Sequence, residues 1–363
     1  MTRPVLHQVT VGATTGDAIT DQAFLLRRWL REMGFVSEIF AEHIHPALGK
    51  EVRPVTAYRP RPGEEWLVYH HSIGSSVVEL LLDFPLQLVI IYHNVTPPEY
   101  FSSVDPAMAQ QMEMGKKQLY ALRSHTALAL ADSHYNEKDL RALGFPNTGV
   151  LPIALDRSRY DLPSNTELLA YFEGTGPLLL FVGRMVPNKR QEDLIKLLYF
   201  HRRIEPSAGL ILVGDRWVPA YEHWLRELVR DLDLEGRVLF TGHVSQQDMV
   251  TYYRLADVYV SMSEHEGFGK PLIESMYLGL PVLAYAAAAV PDTLGGAGVL
   301  FHHKDYEFLA ELVDILVHDE AFRRRIIVRQ RERAQDFSRE RVLGLLREYL
   351  NEALGWQSDP ETQ

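Results

Sequence analysis

The chain of 363 residues is 46% hydrophobic and 23% charged, so it can form about two globular domains with buried cores. Its formal net charge of −11 argues against nucleic-acid binding, which needs a basic face to neutralise phosphates. The absence of cysteine excludes disulfides, cysteine-ligated zinc and a thiol nucleophile.

The amino terminus and the lengths of the apolar runs indicate where in the cell the protein is expected. The first residues lack the long apolar core of a signal peptide. The longest apolar runs, such as Leu178–Val182, are far shorter than a membrane span. We therefore expect a soluble cytoplasmic protein, for which peripheral contact with the inner face of a membrane stays open. The sequence does not predict the oligomeric state.

The first half of the chain alternates short apolar runs with helical stretches. The predicted elements are strand Val5–Val11, helix Ala18–Gly34, and strands Trp66–Tyr69, Leu86–Tyr92, Ala127–Ala131 and Val150–Ile153. The apolar runs are continuous rather than alternating, which is typical of parallel strands covered by helices on both faces. This alternation of strand and helix indicates right-handed βαβ units.

The pattern restarts after a polar, turn-rich stretch at residues 155–177. The predicted strands there are Leu178–Val182, Gly209–Val213, Arg237–Thr241, Val258–Met262, Pro281–Tyr285 and Gly298–Phe301. The predicted helices are Gln191–His201, Tyr221–Leu232, Gln246–Leu255 and Pro271–Leu278, with two more between Tyr306 and about Leu354.

The elements together predict an α/β fold of two tandem doubly wound, Rossmann-like domains that face each other across a cleft. We expect the domains to span residues 1–160 and 177–340. A helix and tail at residues 341–363 would follow and pack back on the first domain. Ligands of such sheets bind beyond the carboxyl ends of the strands, so the cleft is the expected site.

The strongest motif runs from Glu266 to Glu274 and reads Glu-Gly-Phe-Gly-Lys-Pro-Leu-Ile-Glu. It follows a predicted strand and opens a helix, and Pro271 suits the first helical turn. Free N–H groups around Phe268, Gly269 and Lys270 would bind an anion such as a phosphate. Glu274 could accept hydrogen bonds from two adjacent ribose hydroxyls, and Glu266 lies closer to the cleft.

Further polar residues follow other predicted strands. Arg184 and Lys189 come after Leu178–Val182, and two cations at this spacing can flank a diphosphate. His93 also follows a strand, and its side chain would project into the cleft. The loop from Gly12 to Gly16 is a weak phosphate-loop candidate, since it lacks both the G-x-G-x-x-G and Walker patterns. No helical His pair or Asp/His triad suggests a metal.

These stretches resemble retaining glycosyltransferases of the GT-B fold, family 4, also called group 1. The matching segments cover about residues 178–301, in the family's order. They are Phe181-Val-Gly-Arg184 with Lys189, Leu212-Val-Gly214, Phe240-Thr-Gly242-His-Val-Ser, Ala256-Asp257-Val, Ser263 with Glu266-Gly-Phe-Gly and Glu274, and Gly279-Leu-Pro281-Val. The first half resembles the family more weakly, through Gly12, Gly16-Asp17, Tyr92-His93-Asn94-Val-Thr-Pro97 and Ser133.

The resemblance implies a role for each matching residue. Arg184, Lys189, Gly12, Gly16, Phe268, Gly269 and Lys270 would bind the donor diphosphate, and Glu274 the ribose. Glu266 and Gly267–Gly269 would contact the transferred sugar. Gly242, His243 and Val244 would contact the base. Glu266 and His93 would be the catalytic residues, with His93 reaching a sugar hydroxyl through its side chain or its backbone. Glu264 adds a second carboxylate beside Glu266 and leaves their roles open.

The resemblance also implies an activity. The chain would transfer a hexose from a UDP- or GDP-linked donor to a glycan or lipid-linked acceptor, with retention of configuration and without a metal or other cofactor. The first domain would bind the acceptor and the second the nucleotide sugar. Two alternatives stay open. One is a sugar-nucleotide epimerase of the same fold, and the other is a non-catalytic two-domain protein that binds a sugar or nucleotide. The base, the sugar, the acceptor and the linkage are not predicted.

Overall fold

The computed structural model describes residues 3–356 and consists of two compact units. Within the described residues, the first unit comprises 3–102, 106–154 and 339–356, and the second comprises 103–105 and 155–338. Residues 161–176, which the sequence places between the domains, therefore lie in the second unit. The predicted tail beyond residue 356 lies outside the described residues.

The strands form two sheets. Those of the first unit are β1 (His7–Ala13), β2 (Ile39–Ile44), β3 (Val52–Pro54), β4 (Trp66–His71), β5 (Gln87–Tyr92), β6 (Thr126–Ala131) and β7 (Thr148–Val150). Those of the second unit are β8 (Leu178–Val182), β9 (Gly209–Val213), β10 (Val238–Gly242), β11 (Val258–Ser261), β12 (Val282–Tyr285) and β13 (Val299–Phe301).

Helices follow most of these strands. In chain order they are α1 (Ala18–Glu32), α2 (Val77–Leu82), α3 (Pro106–Leu122), α4 (His134–Ala142), α5 (Thr166–Tyr171), α6 (Gln191–His201), α7 (Pro219–Asp231), α8 (Gln246–Leu255), α9 (Lys270–Leu278), α10 (Val290–Leu294), α11 (Tyr306–His318), α12 (Glu320–Ala334) and α13 (Arg339–Leu354). No helix among the described residues is long and apolar enough to cross a membrane.

The first unit holds a parallel sheet in the order β3-β2-β1-β4-β5-β6-β7. Two strands at one edge, β2 and β3, were not predicted, and neither were α2, α3 and α4. The last predicted strand, Val150–Ile153, was wrong in position, because β7 ends at Val150. The stretch that follows has no regular structure.

Helix α13 completes the core of the first unit. Its buried side chains Val342, Leu343, Leu346 and Leu350 recur at the spacing of one helical face and join the core with Trp29 of α1 and Leu130 of β6. The Tyr349 hydroxyl accepts a hydrogen bond from the backbone N–H of Val150 at 3.1 Å. The carboxyl-terminal helix therefore belongs to the core of the first unit.

The second unit has the sheet order β10-β9-β8-β11-β12-β13, and its strands are parallel. The sequence predicted all of these strands to within a few residues. It predicted two helices after Tyr306, but the structure has three, because the chain turns at Asp319 and again at Ser338. The strand order reverses direction between β8 and β11. Ligands of doubly wound sheets bind outside the carboxyl ends of the strands at such a point.

Buried histidines make the first unit sensitive to acid. Burial lowers the pKa of His71 to about 4, and its Nε2 donates to the Gly115 carbonyl at 3.0 Å. Because the unfolded chain protonates near pH 6.5 and the folded protein near 4, the free energy of unfolding should fall over this window. The expected loss is about 1.4 kcal/mol per pH unit for this group.

This loss can be measured by urea unfolding at several pH values between 7 and 4. His71→Gln keeps a donor for the carbonyl and removes the titration, so its unfolding free energy should fall less steeply than that of the wild type. His223→Gln is the control, because the His223 side chain is 74% exposed on α7. Equal slopes for His71→Gln and the wild type would contradict the assignment.

Candidate active site

Two loops of the second unit meet at the carboxyl ends of β8 and β11. The first loop follows Val182, and the second leads from Ser261 into α9. Two hydrogen bonds join the loops. The Glu264 N–H donates to the Asn188 carbonyl at 2.9 Å, and the Asn188 side chain donates through Nδ2 to the His265 carbonyl at 3.1 Å. The two strongest motifs of the sequence are therefore brought together at the point where the strand order reverses.

Lys189 and Glu266 form an ion pair at this junction. Lys189 Nζ lies 2.5 Å from Glu266 Oε2, and the two side chains are 19% and 15% exposed. A partly buried pair of this kind feels a lower effective dielectric than a surface pair. The site therefore presents one cation and one carboxylate that neutralise each other and stay partly exposed to solvent.

The neighbouring carboxylate, Glu264, has different partners. Its Oε1 lies 2.8 Å from Lys304 Nζ and 3.3 Å from Arg190 Nε. Lys304 also binds Asp193 at 2.7 Å. Burial would raise the pKa of Asp193, but hydrogen bonds from Lys304 and Tyr306 hold it below its usual range. Glu264 therefore belongs to a partly buried ionic network, and Glu266 is the carboxylate that pairs with Lys189.

The start of α9 is shaped by glycine and proline. Gly269 has φ of 84°, and a Cβ at this position would lie 2.8 Å from the Leu272 side chain, so the turn requires glycine. Pro271 occupies the first turn, where its missing N–H leaves no hydrogen bond unmade. The Phe268 carbonyl accepts a hydrogen bond from Thr293 Oγ1 at 2.5 Å. The helix thus begins with its N–H groups at the junction of the two loops.

Glu274 lies one turn into α9 and is 3% exposed. Its Oε1 accepts a hydrogen bond from the Tyr160 hydroxyl and its Oε2 one from the Tyr253 hydroxyl, both at 2.6 Å. Lys270 Nζ lies 3.7 Å from Oε1. The predicted ribose ligand is therefore a buried carboxylate in a fixed orientation.

Arg184 lies beyond the end of β8, with its guanidinium stacked on the Trp217 ring at 4.1 Å from the ring centroid. Trp217 itself follows β9 and is 43% exposed. The ends of β8 and β9 approach closely at Gly214, where a Cβ would lie 2.0 Å from the Gly183 carbonyl oxygen. The close approach of the two strand ends places Arg184 against the tryptophan.

The predicted base-contacting residues follow β10. Gly242 ends the strand with φ of 68°, and His243 Nδ1 lies 3.4 Å from Asp215 Oδ1. Both side chains of this pair are about half exposed. Val244 follows and precedes α8. These residues lie at the same carboxyl edge of the sheet as Arg184.

The candidate residues of the first unit are described separately. Gly12 lies in β1, and a Cβ there would meet nothing within 4 Å. Gly16 has φ of 75° and precedes Asp17, whose carboxylate caps α1 by accepting from the Thr20 N–H at 3.0 Å. Gly12, which was predicted in the loop, therefore lies in the strand with open space beside it, and the loop that follows β1 is ordered by a helix cap.

His93 is part of a buried hydrogen-bonded chain. Its Nδ1 lies 2.7 Å from Asp132 Oδ2 and its Nε2 lies 3.0 Å from His70 Nδ1, with the two rings stacked at 6°. His70 Nε2 in turn lies 3.0 Å from Gln8 Oε1. Burial lowers the pKa of His70 well below its ordinary value. Both ring nitrogens of His93 therefore have partners within the first unit, and its backbone N–H donates to the His71 carbonyl at 3.0 Å.

The sequence did not predict several residues that order the second unit's site. These are Tyr160, Tyr253, Trp217 and Lys304. Each contacts a predicted residue or its neighbour from a separate part of the chain. The Tyr253-Arg-Leu-Ala-Asp257 run lies beside a matched motif, but nothing local indicates that its tyrosine contacts Glu274.

Residues 171–333 match the family described as glycosyl transferases group 1. A GDP-mannose-dependent monoacylated alpha-(1-6)-phosphatidylinositol monomannoside mannosyltransferase of Corynebacterium glutamicum is 30% identical over 182 residues, covering 47% of this chain and 46% of that protein. The O-antigen chain mannosyltransferase B of Escherichia coli is 25% identical over 268 residues, covering 69% and 67%. The chain thus matches about half the length of the Corynebacterium relative.

Solved structures share the fold along the whole chain. The sucrose-phosphate synthase of Thermosynechococcus elongatus has a TM-score of 0.77 at 20% identity, covering 97% of this chain and 100% of that one. HepE of Anabaena, solved in complex with UDP-glucose, has a TM-score of 0.75 at 19% identity, covering 96% and 99%. Both units therefore have the GT-B type of Rossmann-like fold, as predicted.

Proposed function

Because residues 171–333 match the family of group 1 glycosyl transferases, we propose that this chain is a configuration-retaining glycosyltransferase. It transfers a hexose from a nucleoside-diphosphate sugar to a hydroxyl of a glycan or a lipid-linked acceptor. The observation that carries the proposal is the pairing of Lys189 with Glu266 at the carboxyl ends of β8 and β11. The pair places a cation that can bind a diphosphate beside a carboxylate that can bind a sugar. It lies at the edge of the sheet where ligands of doubly wound sheets bind.

The relatives favour one donor within this class. The Corynebacterium and Mycobacterium tuberculosis proteins are named as GDP-mannose-dependent mannosyltransferases, and the Escherichia coli relative as a mannosyltransferase. We therefore place GDP-mannose first among the donors and a UDP-hexose second. The acceptor would be a surface glycan or its lipid-linked precursor, reached by peripheral contact at the inner face of the membrane.

Charge stabilisation accounts for the reaction without a metal. Breaking the bond to the anomeric carbon leaves negative charge on the departing diphosphate. Lys189, Arg184 and the N-terminus of α9 stabilise this charge where it develops. The acceptor hydroxyl attacks from the face that the diphosphate leaves, and a phosphate oxygen takes its proton. When the donor is bound, Glu266 accepts a hydrogen bond from a sugar hydroxyl in place of its ion pair with Lys189.

The proposal is tested by a thermal-shift panel of GDP, UDP and ADP and their sugars. A nucleotide at about a hundredfold excess over its Kd stabilises the folded state by roughly 2.7 kcal/mol, which should raise the Tm by several degrees. We expect the largest shift with GDP or GDP-mannose. The absence of any shift with all of these nucleotides would contradict the proposal. Incubation with the sugar nucleotide alone separates an epimerase, which would change the sugar without an acceptor.

The variant Arg184→Ala tests whether the nucleotide diphosphate binds beside Arg184. Loss of a charge-assisted contact should weaken diphosphate binding by about 1.5–3 kcal/mol, measured by calorimetry. Arg226→Ala is the matched control, since Arg226 also stacks on an aromatic ring of this unit, Phe240, at 4.5 Å. Equal losses of affinity in the two variants would place the diphosphate elsewhere.

A further inference from the structure

The Glu274 carboxylate is held by two tyrosines from separate parts of the second unit. Tyr160 lies 114 residues earlier in the chain, before α5, and Tyr253 lies 21 residues earlier, on α8. Both tyrosines are 1% exposed. Each donates to a different carboxylate oxygen, so the two hydrogen bonds fix the rotation of the carboxylate as well as its position.

The two hydroxyls act as donors and leave part of the carboxylate unused. Burial, together with the nearby Glu274, raises the pKa of Tyr253 well above its ordinary value, so this hydroxyl keeps its proton. An ionised carboxylate has about four lone-pair sites, two on each oxygen. Each tyrosine occupies one of them. Lys270 Nζ lies 3.7 Å from Oε1, which is beyond hydrogen-bond distance. Each oxygen therefore keeps one site for a further donor.

We infer that Tyr160 and Tyr253 are positioning residues that orient Glu274 so that its remaining lone pairs meet the two adjacent hydroxyls of the donor ribose. The terminal torsion of a free glutamate is broad, and a carboxylate that must be ordered on binding loses affinity. Two tyrosine hydroxyls order it beforehand. Neither tyrosine needs to touch the nucleotide. The inference rests on the proposed function, since it gives Glu274 a ribose to bind.

The chain contains a matched control for this arrangement. Tyr277 lies on α9, the helix of Glu274, and its hydroxyl donates to Asp161 Oδ1 at 2.8 Å. Asp161 is the residue after Tyr160. Tyr277→Phe therefore removes a hydrogen bond between the same helix and the same segment without touching the carboxylate.

The experiment compares the binding of GDP and 2′,3′-dideoxy-GDP to the full chain by calorimetry. The measured quantity is the ratio of the two dissociation constants. Wild-type protein should bind GDP about tenfold or more tightly than the dideoxy compound. Tyr160→Phe and Tyr253→Phe should each reduce this ratio about three- to tenfold. Tyr277→Phe should leave the ratio unchanged. A merely structural role would weaken both compounds equally.

The possible results distinguish the positioning role of the tyrosines, the ribose role of Glu274 and the proposed function. A wild-type ratio well above one that persists in both Tyr160→Phe and Tyr253→Phe overturns the positioning role and leaves the proposed function standing. A wild-type protein that binds both compounds equally overturns the ribose role of Glu274 and this inference with it. A wild-type protein that binds none of the nucleotides in the panel overturns the proposed function itself. The two tyrosines lie in separate parts of the chain, so the second variant still tests the inference if one variant fails to fold.

Discussion

Lys189→Met is expected to lower kcat by about 10²- to 10³-fold, the cost of removing one preorganised group from a site of developing negative charge. Lys189 is the cation within 2.5 Å of Glu266, at the junction of the two motifs. Methionine preserves most of the side-chain volume, so the change isolates the charge. The measurement is the rate of GDP release from GDP-mannose at saturating donor, with or without a candidate acceptor.

Two further variants interpret the result. Lys196→Met is the control, since Lys196 lies on α6 with a 39% exposed side chain and pairs only loosely with Asp193 at 3.8 Å. It should turn over at nearly the wild-type rate. Glu266→Ala should lower turnover while leaving the affinity for GDP largely intact, because the role proposed for this carboxylate is to contact the sugar. If Lys189→Met retained wild-type kcat, the leaving-group role of Lys189 would be wrong.

The sheet of the second unit could be predicted from the sequence because its strands are short, continuous apolar runs between glycine turns. The predicted and observed bounds coincide for β8 and β9. Strand β2 was not predicted because its second half, Glu42-His-Ile44, interrupts the apolar run. Strand β3 has three residues and ends at a proline on the edge of the sheet. Edge strands of this kind bury too little apolar surface to leave a pattern.

The residues of the candidate site also fall into those that local sequence predicts and those that it does not. Local signals identify Lys189, Glu266 and Glu274, since each lies in a strand–turn–helix motif whose chemistry can be read directly. The partners of these residues come from distant parts of the chain. Only the folded structure shows that Glu264 binds Lys304, 40 residues later, whereas Glu266 binds Lys189. The choice between two carboxylates two residues apart therefore required tertiary contacts.

Glu274 carries the second large effect, which is on stability. Glu274→Ala leaves the buried hydroxyls of Tyr160 and Tyr253 without their acceptor. An unsatisfied buried polar group costs about 1–3 kcal/mol, so the free energy of unfolding should fall by about 3 kcal/mol in all. The alanine variant no longer has to bury a carboxylate, which offsets part of the cost. The expected loss is therefore smaller than the sum of the upper limits for the two hydroxyls.

Glu274→Gln separates this stability effect from nucleotide binding. The amide keeps the shape, offers one oxygen as acceptor and can donate to a tyrosine oxygen, so it should recover most of the stability lost in the alanine variant. It has no second acceptor oxygen for a pair of ribose hydroxyls, so its affinity for GDP should stay reduced about tenfold. Urea unfolding measures the first quantity and calorimetry the second. Glu320→Ala, whose side chain is 88% exposed on α12, serves as the surface control. If Glu274→Ala proved as stable as this control, the tyrosine hydrogen bonds would contribute nothing to the fold, and Glu274 would be held in place by its helix alone.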